Sequence, residues 1–118
     1  MKSNPEPRKL VYKFDGTEGA FMPNEKTAED WRKKYEAHEI ARGCGNRVIK
    51  AHFFGKKLIK KLLEPDHVMG IRIYHGLNDD EEKVLLLYAV DEDGNDLVQT
   101  ISPEVNILDF GWRCPPYC

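Results

Sequence analysis

The sequence predicts a single α+β domain in which two N-terminal helices pack on a small, mainly antiparallel β-meander. Two observations carry this prediction. Apolar residues recur at helical spacing between Thr27 and Leu63, and from Gly70 onward short apolar runs alternate with polar turns. The chain has 118 residues, of which 41% are hydrophobic and 32% charged, so it is ordinary in composition and large enough for one core.

The sheet is predicted around residues 84–90. The two faces of this segment are both apolar, with Val84, Leu86, Tyr88 and Val90 on one side and Leu85, Leu87 and Ala89 on the other. A strand without a polar face has to be covered on both sides, which predicts the central position in the sheet. Its neighbours are expected at residues 70–76 and 97–101, joined through an acidic loop at residues 77–82 and a turn at residues 91–96.

The first helix is expected to begin at Thr27, because an acidic residue follows this threonine three positions later, as in a capping box. Trp31, Tyr35 and His38 then form a stripe on one helix face, which we expect to pack on the sheet. The glycines on either side of Cys44 end the helix.

The second helix is expected over residues 47–63, where Ala51, Phe54, Leu58 and Leu62 form one apolar ridge. Gly55 interrupts this pattern. The alternative interpretation is therefore that residues 48–54 are irregular or extended and that the helix begins only after Gly55.

Domain organisation and location follow from composition. Residues 1–118 are expected to form one domain, with residues 1–9 as a disordered tail and residues 102–118 as an irregular C-terminal segment. The sequence shows no secretory signal and no apolar stretch that could span a bilayer. Its three cysteines cannot all be paired in disulfides within the chain, which is typical of a reducing compartment. A cytoplasmic location is therefore expected. The net charge of −2 predicts neither nucleic acid nor membrane as a partner.

The C-terminal Cys-Pro-Pro-Tyr-Cys segment is the feature that folding explains least. Cys114 and Cys118 could form a disulfide or, with Cys44 and His52, a tetrahedral zinc site. In an extended polyproline conformation the two Cα atoms would be about 12 Å apart. The tail must therefore turn before the two sulfurs can act together. Free or buried thiols in a proline-stiffened tail are the remaining alternative, and Cys44 is a weak candidate for a catalytic nucleophile.

The leading functional prediction is a non-enzymatic accessory module that binds a protein partner. No catalytic constellation and no cofactor motif is recognisable, so no cofactor is expected apart from a possible zinc ion. The expected contact residues are Tyr74, Trp112 and Tyr117, because aromatic residues are enriched at protein interfaces. The sequence leaves the partner and the oligomeric state open.

Four motifs occur in this order: Lys-Ala-His-Phe-Phe-Gly at residues 50–55, Gly-Ile-Arg-Ile-Tyr at residues 70–74, Val-Asp-x-x-Gly-Asn-Asp at residues 90–96, and Cys-Pro-Pro-Tyr-Cys at residues 114–118. In these motifs the chain resembles a family of small uncharacterised bacterial proteins. No activity is established for that family, so the resemblance implies no catalytic residues. It implies that the cysteine-containing tail is a genuine feature of the protein.

Overall fold

The computed structural model describes residues 13–44, 48–98 and 107–118, and of Cys44 it describes only the backbone. The predicted tail at residues 1–9 lies outside the described residues. The helices are α1 (Glu25–Glu39), which continues into a π-helical turn (Ile40–Cys44), and α2 (Lys56–Leu63). The strands are β1 (Ala51–Phe53), β2 (Gly70–Leu77), β3 (Lys83–Val90), β4 (Ile107–Leu108) and β5 (Trp112–Cys114).

The described strands form two antiparallel sheets. One sheet has three strands in the order β2-β3-β4, and the other is a ribbon of β1 and β5. The central position predicted for residues 84–90 is confirmed, because β3 pairs with β2 along its whole length and with β4 at Leu87 and Tyr88. Leu87 and Ala89 of this strand are among the most buried side chains of the described part of the protein.

The third strand of the sheet is not the predicted one. After the turn, Asp96 forms a single bridge with Val90, and Leu97 donates one backbone hydrogen bond to the Ala89 carbonyl. The pairing of described residues then ends, and residues 99–101 lie outside the described residues. The physical reason is competition for the edge of β3, since β4 occupies the positions of Leu87 and Tyr88 that a longer strand would have needed.

Helix α2 covers one face of the three-stranded sheet. Leu62 packs against Leu87 and Ala89, and partly buried apolar side chains surround this cluster: Phe54, Val68, Ile71, Leu85, Leu97 and Leu108. The helix begins after Gly55, which has extended backbone angles, while residues 51–53 form a strand. The alternative interpretation of this region is thus confirmed, and a helix from residue 47 is wrong.

The prediction that two N-terminal helices pack on the sheet is wrong, because α1 does not pack on it. The helix begins at Glu25, with the side chain of Asn24 accepting a hydrogen bond from the Thr27 amide. Trp31 and Tyr35 of the predicted stripe remain 61% and 44% exposed. The stripe is narrow and interrupted by charged residues, so burying it would remove little apolar area from water.

The contact between α1 and the sheet is instead ionic. Glu39 is the one buried residue of α1, and its carboxylate lies 2.7 Å from the ammonium group of Lys83 at the start of β3. Arg42 lies 3.9 Å from the same carboxylate.

None of the helices in the described ranges combines the length and the apolar character that crossing a bilayer requires.

Candidate functional site

The β1–β5 ribbon brings together the first and the last of the four sequence motifs, at residues 50–55 and 114–118. Its register places Ala51 opposite Cys114, His52 opposite Arg113 and Phe53 opposite Trp112. The Lys50 amide extends the pairing by donating to the Cys114 carbonyl at 2.7 Å. Because successive side chains of a strand point to opposite faces, the ribbon has two chemically different faces.

One side of the ribbon is aromatic. Phe53 and Trp112 face each other across the strands, and the ring of Tyr117 lies 5.0 Å from that of Trp112, centroid to centroid. We call these three side chains the aromatic face. They are 63%, 59% and 59% exposed, respectively, although each is a large apolar group. The aromatic face is therefore ordered by contacts within the protein but left open to solvent.

The C-terminal tail holds Tyr117 in this position. Cys114 and Cys118 form a disulfide with their Cα atoms 4.7 Å apart, so the tail turns as the spacing of the cysteines required. The peptide bonds before Pro115 and Pro116 are both cis. The Tyr117 amide donates to the Arg113 carbonyl at 2.9 Å, which closes the turn back onto β5.

The opposite side of the ribbon is basic. Alternation places Lys50 beside His52, and Arg113 faces His52 from β5. We call these three side chains the basic face. Arg113 is paired with Glu82 of the β2–β3 loop at 3.1 Å. Hydrogen bonds from Asn78 and Arg113 lower the pKa of the Glu82 carboxyl.

His52 is neutral at pH 7. Partial burial lowers the pKa of its imidazole, and electrostatic interaction with Arg113 and His75 lowers it further. His75 acts on His52 because the two residues line the same hollow, with His75 near the end of β2.

That hollow is a groove of about 800 Å³ between the basic face of the ribbon, α1 and the loop end of the β2–β3 hairpin. Its wall combines basic and apolar side chains: Tyr35, Ile49, Lys50, His52, His75, Leu77, Lys83, Val84 and Leu85. No acidic residue is found among these lining side chains. The acidic residues Asp79, Asp80, Glu82 and Asp109 line a neighbouring hollow, which shares His52 with the groove.

Tyr74, the third predicted contact residue, lies on the other sheet and has internal partners. Its hydroxyl donates to the Asp96 carboxylate, and its ring meets that of Tyr88 edge to face at 4.8 Å. Arg72 binds the other oxygen of Asp96 and also the Gly94 carbonyl. The hydrogen bond to Asp96 raises the pKa of the Tyr74 hydroxyl. The structure thus brings Trp112 and Tyr117 together and leaves Tyr74 apart from them.

The predicted zinc ligands are arranged differently from a tetrahedral set. Cys114 and Cys118 are bonded to each other, and the register of the ribbon sends the side chains of His52 and Cys114 to opposite faces. Of Cys44 only the backbone is described. In the described ranges, no three His, Cys, Asp or Glu side chains are clustered as metal ligands would be. The zinc hypothesis remains a prediction about the chain with reduced cysteines.

The sequence pattern did not identify Phe53 or His75 as candidate residues, and it predicted that Tyr35 would pack on the sheet, whereas Tyr35 is 44% exposed. The signal for Phe53 was the alternation of polar and aromatic residues in Ala-His-Phe, which is typical of a strand. Because residues 47–63 were interpreted as one helix, His52 and Phe53 were not assigned to opposite faces. His75 could not have been linked to His52, since the two residues meet only through the packing of separate elements.

The four motifs pair two by two in the structure. Residues 50–55 pair with the C-terminal cysteine motif through the ribbon, and residues 70–74 hold the turn at residues 91–96 through Arg72 and Tyr74. Comparison of the chain with family models, curated proteins and solved structures finds no match.

Proposed function

We propose that this chain is a small protein-interaction module that binds a protein partner through its aromatic face. The observation that carries the proposal is the exposure of three neighbouring aromatic side chains, Phe53, Trp112 and Tyr117, on one side of a two-stranded ribbon. Aromatic residues supply much of the binding energy of protein interfaces, because each of them buries a large apolar area.

The way in which the rings are held in place also supports this proposal. Trp112 is fixed by strand pairing, and Tyr117 by the tail disulfide and by the ring of Trp112. A partner would therefore find two side chains that are already ordered, and little conformational entropy would be lost on binding. An apolar surface on another protein, with a pocket for the Trp112 indole, is the occupant that this face fits.

Within the two strands of the ribbon, Arg113 is the one Lys, Arg, Asp or Glu residue. Arg113 is on the opposite side of the ribbon and is paired with Glu82. Together with the net charge of −2, this favours a protein over a nucleic acid or an anionic membrane as the partner. We propose the cytoplasm as the compartment because of the odd number of cysteines. Disulfides are rare in that compartment, so a tail that is oxidised in cells would contradict this location.

The experiment compares immobilised wild-type protein with three single variants, Phe53→Ala, Trp112→Ala and Tyr117→Ala, in capture from a lysate of the source cells. Trp31→Ala is the matched control, because Trp31 is an equally exposed aromatic residue on α1. We expect one protein to be retained by the wild type and by the control, and to be lost from the three variants. Circular dichroism verifies that all variants are folded.

Equal capture by the control and by the aromatic-face variants would overturn the proposal. Capture of a second copy of the chain would also contradict the proposal, because it would mean that the aromatic face serves self-association. Sedimentation of the purified protein checks for this outcome. Tyr74→Phe, which removes the hydroxyl and keeps the ring, tests Tyr74 as a contact residue without removing its contact with Tyr88.

A further inference from the structure

We propose that the groove between the basic face, α1 and the β2–β3 hairpin binds a small molecule that combines one carboxylate with an apolar body. This site lies on the side of the ribbon opposite the aromatic face, so the inference is independent of the proposed protein partner. It is carried by the size of the groove, by the charge of its wall and by the separation of its basic and apolar side chains.

The size is suited to a small ligand. A volume of about 800 Å³ lies within the range of small-molecule sites, which is about 300–1,000 Å³. The apolar part of the wall comes from α1, from the segment before β1 and from both strands of the hairpin, as Tyr35, Ile49, Leu77, Val84 and Leu85. Such a wall binds an apolar body by removing its surface from water.

The charge selects an anion. Lys50, His52, His75 and Lys83 line the groove. The Lys83 ammonium lies 2.7 Å from the Glu39 carboxylate, which also lies 3.9 Å from Arg42. Within the described residues, Lys50 has no carboxylate in ion-pair range. Among the described residues that line the groove there are thus two lysines and two histidines and no acidic residue.

A single negative charge is the best complement to this wall. Lys50 supplies one cation that pairs with no carboxylate of the described residues. His52, on the same side of the ribbon, supplies a neutral imidazole whose N–H can donate to an oxygen. A carboxylate has two oxygens and can accept from both groups at once. The neighbouring hollow is lined by Asp79, Asp80 and Asp109, which disfavours a ligand with several negative charges.

The test uses 4-phenylbutyrate as the probe and its neutral amide, 4-phenylbutanamide, as the reference ligand, titrated into the full chain at pH 7 and followed by NMR. We expect saturable binding of the carboxylate, with shifts centred on His52 and His75, and binding of the amide that is at least about tenfold weaker. Lys50→Gln should weaken binding of the carboxylate by about tenfold and leave that of the amide unchanged. Lys60→Gln, an exposed lysine of α2 away from the groove, is the matched control.

Three results would overturn the proposal: no saturable binding of 4-phenylbutyrate, equal binding of the amide, or equal weakening by Lys50→Gln and Lys60→Gln. Phe53→Ala should leave carboxylate binding intact, since Phe53 lies on the other side of the ribbon. This variant therefore distinguishes failure of the groove as a ligand site from failure of the aromatic face as a partner site.

Discussion

Arg72 and Asp96 form an ion pair, with the Nη1 atom 2.7 Å from Oδ1, that fastens the turn at residues 91–96 to the edge strand β2. The same nitrogen donates to the Gly94 carbonyl at 3.0 Å, and the Tyr74 hydroxyl donates to the second oxygen of Asp96. The Asp96 carboxylate thus accepts from two donor groups of β2, the Arg72 guanidinium and the Tyr74 hydroxyl. The guanidinium also lies over the ring of Phe14, 5.8 Å from its centroid.

Asp96→Ala should lower the urea midpoint of unfolding, because it leaves Arg72 and Tyr74 without their shared acceptor. Asp93→Ala is the control in the same turn, since the partner of the Asp93 carboxylate among the described residues is the exposed Lys13. The midpoint should fall distinctly further for Asp96→Ala than for Asp93→Ala. Equal midpoints for the two variants would show that the pair with Arg72 does not hold the turn.

Gly111→Ala should destabilise the protein by about 1–3 kcal/mol, the usual cost of overpacking a filled site. A Cβ atom at Gly111 would lie 2.6 Å from the Cζ atom of Phe54, whose ring packs against the core around Leu62. Gly70→Ala is the control, because a Cβ atom there meets nothing within 4 Å. Chemical denaturation of both variants measures the difference, and Gly111→Ala should cost less in a Phe54→Leu background. A cost that is independent of Phe54 would contradict the steric explanation.

The stability of the protein should decrease as the pH falls through the range in which His52 titrates. The pKa of His52 is below its ordinary value of 6.5, first because of burial and then because of Arg113 and His75. Between pH 6.5 and the pKa of the folded state, the unfolded chain binds a proton at His52 that the folded protein does not bind. The stability that comes from neutral His52 is therefore fully present above pH 6.5 and is lost as the pH falls through the pKa of the folded state.

An NMR titration of the His52 ring protons should therefore give a midpoint below 6.5. His75→Gln should raise that midpoint, since it removes one of the positive neighbours of His52. His67→Gln is the control, because His67 is not among the groups that influence His52. A His52 midpoint at or above the ordinary value would contradict the description of the basic face.

Cys118→Ser should loosen Tyr117 from Trp112 while leaving the fold intact. The disulfide closes a loop of only a few residues, so its loss should cost at most about 2 kcal/mol of stability. In a Trp31→Phe background Trp112 is the single tryptophan, and its emission reports the loss of the ring contact. The same emission for the serine variant and for the oxidised chain would mean that the disulfide does not position the aromatic face.

Zinc binding is tested by elemental analysis of protein purified with and without reductant. With Cys114 and Cys118 in a disulfide, we expect far less than one zinc ion per chain, because a disulfide sulfur is not a thiolate ligand. Equimolar zinc in the reduced protein would support the predicted set of Cys44, His52, Cys114 and Cys118. Its absence under both conditions would eliminate the zinc hypothesis.

Several features of this protein were predictable from local sequence. The apolar pattern of residues 84–90 identified the central strand, since a strand that is apolar on both faces is stable only when both are covered. The turn at residues 91–96 followed from its Asp and Gly residues, and Gly94 does adopt a positive φ. The spacing of Cys114 and Cys118 implied that the tail must turn.

The rest depended on contacts between residues distant in the chain. Periodicity predicts which face of an element is apolar, but it does not identify the partner that covers this face or show that one exists. The spacing of Trp31 and Tyr35 therefore did not indicate that these side chains would remain exposed on α1. Likewise, the strand β1 exists because β5 pairs with it, and this pairing separates the aromatic from the basic side chains. Both candidate sites depend on the pairing of β1 with β5. The stability of this pairing cannot be predicted from either segment alone.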